Sequence, residues 1–296
     1  MTGTASVGRP RVRDRVRSYV ELTKPRIVEL LLVTTVPTMV LAADGWPGTR
    51  LVLATLVGGI LSSGGANTIN QVIDRDLDAT MRRTRRRPIP SGRVRPGAAL
   101  VFGVLLGVSG FLWLWATTNL LAAALSTGAL LFYVLVYSLL LKRSSTQNIV
   151  LGGAAGAVPA LVGWAAVTGG LAVPAWLTFG LVFFWTPPHF WALALKYEDD
   201  YRRAGVPMLP VVVGREPTLR QVLAYSVVVV GLSLLLVPAA GLGLVYLLVA
   251  GPLGVVLVGW AGRLLRRPGE AMRFFGFTNL YLAAVFVAMA VDRLVT

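Results

Sequence analysis

Cysteine is absent, histidine occurs once, and acidic residues number only 13 in 296. Without cysteine there are no disulfides, no thiolate metal ligands and no cysteine nucleophile. Charged residues make up 14% of the chain, against 55% hydrophobic, where a soluble domain carries roughly 25% charged. So little charge cannot coat a globular surface in water, and the mean hydropathy of +0.71 agrees. Period-two alternation is also missing, which excludes an outer-membrane barrel. The first 26 residues, MTGTASVGRPRVRDRVRSYVELTKPR, contain no short apolar core followed by a small-residue cleavage site, so no secretory signal is expected.

What is present is a series of apolar runs of membrane-spanning length. Nine are read, at about 27–43, 51–72, 97–116, 120–141, 148–167, 173–195, 221–238, 242–261 and 273–291. The net charge of +15 could suggest nucleic acid. Its distribution points instead to a lipid bilayer and to no nucleic acid. Of the 28 lysines and arginines, 26 fall in the N-terminal tail and every second loop, and 2 in the alternate segments. By the positive-inside rule this places the N-terminus in the cytoplasm and the C-terminus outside. The expected organisation is a basic cytoplasmic tail over 1–20 and one polytopic domain over 21–296. The two long connections, 73–96 and 196–220, follow the second and sixth runs, which suggests two four-helix halves with a ninth helix appended.

Charge concentrates at the ends of those two runs. Residues 70–90 read NQVIDRDLDATMRRTRRRPIP. Asn70, Asp74 and Asp78 stand at i, i+4 and i+8, one stripe of a helix, while Asp76 points elsewhere. Three oxygen-bearing side chains on one stripe suit a hard cation, and Mg²⁺ favours one or two carboxylates together with substrate phosphate oxygens. The bland alternative is a solvated helix end balanced by Arg75 and Arg82. Arg82, Arg83, Arg85, Arg86 and Arg87 follow, and guanidinium groups pair with phosphate oxygens; Arg83 and Arg87 are assigned as diphosphate contacts. A second cluster, KYEDDYRRAGVPMLP at 196–210, supplies Lys196, Glu198, Asp199 and Asp200. Lys142 and Arg143 end the fourth run. The three clusters together read as a metal–diphosphate site at the lip of an apolar cavity.

On these residues the chain resembles the UbiA superfamily of intramembrane prenyltransferases: N-x-x-x-D-x-x-x-D after the second run and an acidic loop after the sixth. LTKPRI at 22–27, LKRSSTQNIVLGGAAGAVPALVGW at 141–164, TPPHFWALALKYEDDY at 186–201 and AGVPMLPVV at 204–212 resemble its haem-farnesylating branch. The resemblance implies an all-α integral membrane fold of nine transmembrane helices, in the plasma membrane of a bacterium with the active site facing the cytoplasm. It implies Mg²⁺, with farnesyl diphosphate and haem B as substrates. A downstream haem A synthase or oxidase assembly is a conceivable partner. Asp74, Asp78 and Asp200 become the expected catalytic carboxylates, and with Asn70 the metal ligands. Where many members carry a second D-x-x-x-D, this chain has Lys196 four before Asp200, so Lys196 is expected on the diphosphate. His189, the sole histidine, is expected to ligate or orient haem, against the alternative of a hydrogen-bonded structural residue. Trp113, Trp115, Phe132, Tyr133, Phe183 and Trp185 are candidates to face an allylic cation, against plain packing. Two other readings remain: a related enzyme with a 4-hydroxybenzoate-like acceptor, and a transporter, whose polar site would belong near the midplane.

Overall fold

The computed structural model describes residues 12–25 and 27–296, the side chains of 27–32 excepted. Most of the expected tail, and Arg26 of the LTKPRI stretch, therefore lie outside the described residues. Among those residues every regular element is helical. A short amphipathic helix, α1 (Val12–Thr23), precedes α2 (Ile27–Ala43) and α3 (Thr49–Ile73). After the small helix α4 (Arg75–Thr80) come α5 (Pro96–Thr117), α6 (Leu120–Ser144) and α7 (Asn148–Thr168). The second half runs α8 (Val173–Lys196), the short α9 (Glu198–Arg203) and α10 (Leu209–Val213), then α11 (Arg215–Ala240), α12 (Leu244–Leu264) and α13 (Ala271–Val295).

Among the described residues, seven helices are long and apolar enough to cross a bilayer: α3, α5, α6, α7, α11, α12 and the last, counted from Pro268. The other two expected spans are α2 and α8. The described apolar part of α2 is only Val33–Ala43. α8 has the length, at 24 residues, but its tryptophans, Pro187, Pro188 and His189 make it less apolar. Leu100, Val101, Val104, Leu105, Val108 and Leu112 of α5 all project outward. Such a surface is costly in water and normal in lipid.

Helix pairing follows the duplication expected from the loop spacing. The most extensive contacts are α3 with α5 and α8 with α11, the second and third helices of each half. At the α3–α5 seam a Cβ on Gly65 would lie 2.7 Å from the Gly103 carbonyl oxygen, and one on Gly110 would lie 2.9 Å from the Ser62 nitrogen. Backbones this close leave no room for side chains, the usual basis of helix association in lipid. The second half holds the largest apolar cluster, with Trp191, Tyr246, Phe274, Tyr281 and Phe286 fully buried. The hydroxyls of Tyr246 and Tyr281 both reach Ser233, at 2.9 and 3.1 Å. At the end away from the charged loops, buried Asp292 accepts hydrogen bonds from the backbone of Gly243 and Tyr246, at 2.7 and 3.0 Å. That carboxylate satisfies the free N–H groups of the α12 N-terminus. Arg293 pairs with Asp44 at 3.1 Å, joining the end of α13 to the α2–α3 turn.

Candidate active site

A cavity of about 460 Å³ opens at the charged end of the bundle, between α3, α6, α7 and α8. Its mouth is built around Asn70, in the last turn of α3. The Asn70 amide donates to Asp74 Oδ2 at 2.7 Å and to Ser138 Oγ at 3.0 Å. Asn70 Oδ1 accepts from Lys24 Nζ at 3.1 Å. Asp74 lies at the junction of α3 and α4, where the helical hydrogen bonds continue: Asp74 N bonds to Asn70 O, and Asp78 N to Asp74 O. The stripe read from the i, i+4, i+8 spacing is therefore real. Asn70 and Asp78 line the cavity, while Asp74 stands behind them, fully buried.

The partners of these carboxylates differ from those expected of a solvated helix end. Asp74 Oδ2 pairs with Lys142 at the end of α6. Both oxygens of Asp78 accept from one Arg87 nitrogen, Nη1, at 2.9 and 2.8 Å, and Arg75 bonds only a backbone carbonyl, that of Val72. Asp76 does point elsewhere. It accepts two bonds from Arg143, at 2.8 and 2.7 Å, which hold its carboxyl down at about 2. Arg143 is thereby engaged outside the cavity.

The second acidic loop is placed less directly. Asp200 is buried and paired with Arg203, and it is its neighbour Tyr201 that lines the cavity. Lys196 is exposed, its ammonium 5.6 Å from the centre of the Tyr197 ring, so nothing ties it to the mouth. Arg83 does line the cavity, with its guanidinium 6.0 Å from the same ring. Lys24 is the mouth residue that sequence reasoning missed. It lies between α1 and α2 with a left-handed backbone, φ 52°, a strained conformation for a residue with a side chain. Burial pushes its ammonium down to about 7, helped by the nearby charges of Arg87 and Lys142 and opposed by Asp78 and Asp74. Its one available signal was its place beside Pro25, in a quoted motif at the membrane entry.

Behind the mouth the cavity turns apolar, lined by Ala66, Ala129, Leu130, Val158 and Val162 among others. Of the six aromatic candidates, Tyr133 and Trp185 face it. Trp113 and Trp115 are exposed on the outer surface of α5, and Phe132 and Phe183 are not part of the lining. Tyr137, Phe190 and Tyr201 are, and had not been singled out.

His189 lies one layer behind the lining, between the rings of Trp185 and Phe275 at centroid distances of 4.3 and 4.1 Å. Its Nδ1 is 2.7 Å from Thr278 Oγ1. That hydroxyl donates to Phe275 O at 2.8 Å, so it accepts from a protonated Nδ1. The tautomer leaves Nε2 with its lone pair, the form of imidazole that binds iron.

The donor set at the mouth fits a divalent cation. Asp74 Oδ1 is buried with no hydrogen-bond partner, and an unpartnered carboxylate oxygen is a costly feature that a metal would satisfy. Asn70 and Asp78 carry further oxygens at the cavity wall, which here accept from Lys24 and Arg87. Among the described residues no three His, Asp or Glu side chains converge on one point.

A model of the UbiA prenyltransferase family matches residues 31–287. The chain belongs to that family. A protoheme IX farnesyltransferase of Gloeobacter violaceus is 51% identical, over 96% of this chain and 94% of its own length. Another, from a Nocardioides species, is 52% identical over 97% and 94%. Among solved structures, a digeranylgeranylglyceryl phosphate synthase superposes with a TM-score of 0.79 at 19% identity, covering 95% of this chain and 99% of that one. A UbiA homolog from Archaeoglobus fulgidus bound to DMAPP and Mg²⁺ gives 0.62 at 16%, over 93% and 99%. At those identities the two structures establish the fold of this UbiA-family chain.

Proposed function

We propose that this prenyltransferase moves the farnesyl group of farnesyl diphosphate onto a vinyl group of haem B, with addition of water, giving haem O and diphosphate. Relatives carrying the protoheme IX farnesyltransferase name at half identity over nearly the whole chain support the choice of substrates. The observation that carries the chemistry is the cavity itself: cations and carboxylates at its mouth, apolar and aromatic walls behind.

The prenyl tail enters the apolar part and the diphosphate stays at the mouth. Arg83, Arg87 and Lys142, with Lys24, supply positive charge where the leaving group gains negative charge. Asp74, Asp78 and Asn70 would hold Mg²⁺, and Asp200 would join them only by leaving Arg203, with which it is paired here. A metal held there would supply counter-charge for the departing diphosphate. The walls around Tyr133 and Trp185 exclude water from the allylic cation and present ring faces to it. His189 offers Nε2 to the haem iron, fixing the vinyl group relative to the cation. The site is proposed to face the cytoplasm of a bacterial cell, from its plasma membrane.

Haem extracted from cells with and without the protein, compared by mass spectrometry, tests the reaction: haem O appears only with the protein. The purified enzyme offered haem B and 4-hydroxybenzoate side by side tests the acceptor, and prenylated benzoate with untouched haem would overturn it.

A further inference from the structure

Asp74 is fully buried, its Oδ2 accepting from Lys142 Nζ and Asn70 Nδ2 while Oδ1 is unpartnered. One oxygen of this carboxylate is satisfied by an ammonium, and the other faces no donor. What brings Lys142 here is an irregularity of α6. From Phe132 to Leu141 the helix is π-helical, ten residues long, where such stretches are usually a single turn and often mark functional sites. The bonds run five residues back: Lys142 N to Tyr137 O, and the Ser138 hydroxyl to Tyr133 O at 2.8 Å.

The register decides where Lys142 points. In an α-helix, residues 133 and 142 fall about half a turn apart, on opposite faces. At roughly 4.4 residues per π turn they return to within about 20° of each other. Tyr133, Tyr137 and Lys142 accordingly all line the cavity, and Ser138 joins the same face by accepting from Asn70. The stretch is locked from outside: a Cβ on Gly152 would lie 2.2 Å from the Tyr137 ring, so α7 is shaped to admit it.

We propose that Lys142 is an internal stand-in for the divalent cation. In the free protein its ammonium, delivered by the π-helical register, already supplies at Oδ2 the counter-charge that a metal at Oδ1 would bring, so the site loads metal weakly until a diphosphate arrives to accept Lys142 in exchange. Lys142 is then a positioning residue that couples the binding of metal and diphosphate. The buried carboxylate is never left without a counter-charge, and metal does not accumulate without substrate. This rests on the reading of Asp74 as a metal ligand.

The test uses Mn²⁺ as the metal probe and inorganic pyrophosphate as the diphosphate, on the purified full chain in detergent, with bound Mn²⁺ read by electron paramagnetic resonance. Lys142→Met is expected to bind Mn²⁺ about tenfold more tightly than wild type without pyrophosphate, a shift of about 1.4 kcal/mol. Pyrophosphate should strengthen Mn²⁺ binding in wild type and much less in the variant. Equal or weaker binding by Lys142→Met, with binding lost in Asp74→Asn, overturns the stand-in role. Wild-type binding by Asp74→Asn overturns the ligand assignment itself. Should Lys142→Met not fold, wild type alone decides: saturating Mn²⁺ with pyrophosphate must change the labelling of Lys142 by an amine-reactive reagent, read by mass spectrometry. Unchanged labelling sinks the exchange.

Discussion

Arg87 Nη1 lies 2.9 and 2.8 Å from the two oxygens of Asp78, nine residues earlier in the same loop. The guanidinium is partly exposed and borders the cavity, so it can hold the carboxylate and meet an incoming phosphate. A lysine, with a single point charge, cannot reproduce both contacts. Arg87→Ala should lower kcat/KM for farnesyl diphosphate about 100-fold. Arg87→Lys should fall between the two, and Asp78→Ala should abolish turnover in a chain that still purifies folded. Steady-state kinetics with haem saturating checks all three. Near-wild-type turnover by Asp78→Ala would remove that carboxylate from the site.

Lys24 gives a pH signature. An ordinary lysine stays charged well past pH 9, whereas Lys24 loses its proton as pH rises through about 7. Below that pH it adds a positive charge to the mouth; above it the charge is gone. The KM for farnesyl diphosphate should therefore climb as pH rises above 7. Lys24→Arg, which cannot deprotonate, should flatten the climb, and Lys24→Met should show the high-pH KM throughout. The same climb in Lys24→Arg would assign the titration elsewhere.

His189→Ala should weaken haem B binding about tenfold or more and shift the haem absorption spectrum. Farnesyl diphosphate affinity should stay close to wild type, because the mouth residues hold that substrate separately. Thr278→Val removes only the acceptor that fixes the imidazole tautomer and should show a smaller change of the same kind. Separate titrations of the two substrates distinguish this from a structural histidine, whose loss would impair both together.

The 26-to-2 division of basic residues predicts the N-terminus in the cytoplasm and the C-terminus outside. Phosphatase and fluorescent-protein fusions at Thr296 check it. A C-terminal fluorescent protein that matures in the cytoplasm, with inactive phosphatase, would mean the span count is wrong.

Much of this was legible before any coordinates. The run read at 148–167 is the helix Asn148–Thr168, and the one read at 97–116 is Pro96–Thr117, because each apolar run closes on a short polar or glycine turn, TGG after the first and TTN after the second. The stripe of Asn70, Asp74 and Asp78 was legible because local helical spacing sets it. Pairings across the chain were not: nothing near Asp74 announces Lys142, nor does anything near Asn70 announce Lys24. The π-helical stretch FYVLVYSLLL is apolar on every face, and periodicity cannot be read without polar contrast. Trp113 and Trp115 misled for a related reason, since an aromatic facing lipid and one facing a cavity look alike in a span.

The pairing of Asp74 with Lys142 also bears on how the chain is made. The two residues are 68 positions apart, so α3 is synthesised and delivered to the membrane well before its counter-charge exists. Until α6 emerges, Asp74 lacks its ion-pair partner and has only the charge of Lys24 nearby, which favours keeping the end of α3 at the interface. Arrival of the fourth span then supplies the ammonium with which that carboxylate pairs, so burial of the end of α3 is tied to completion of the first half of the protein.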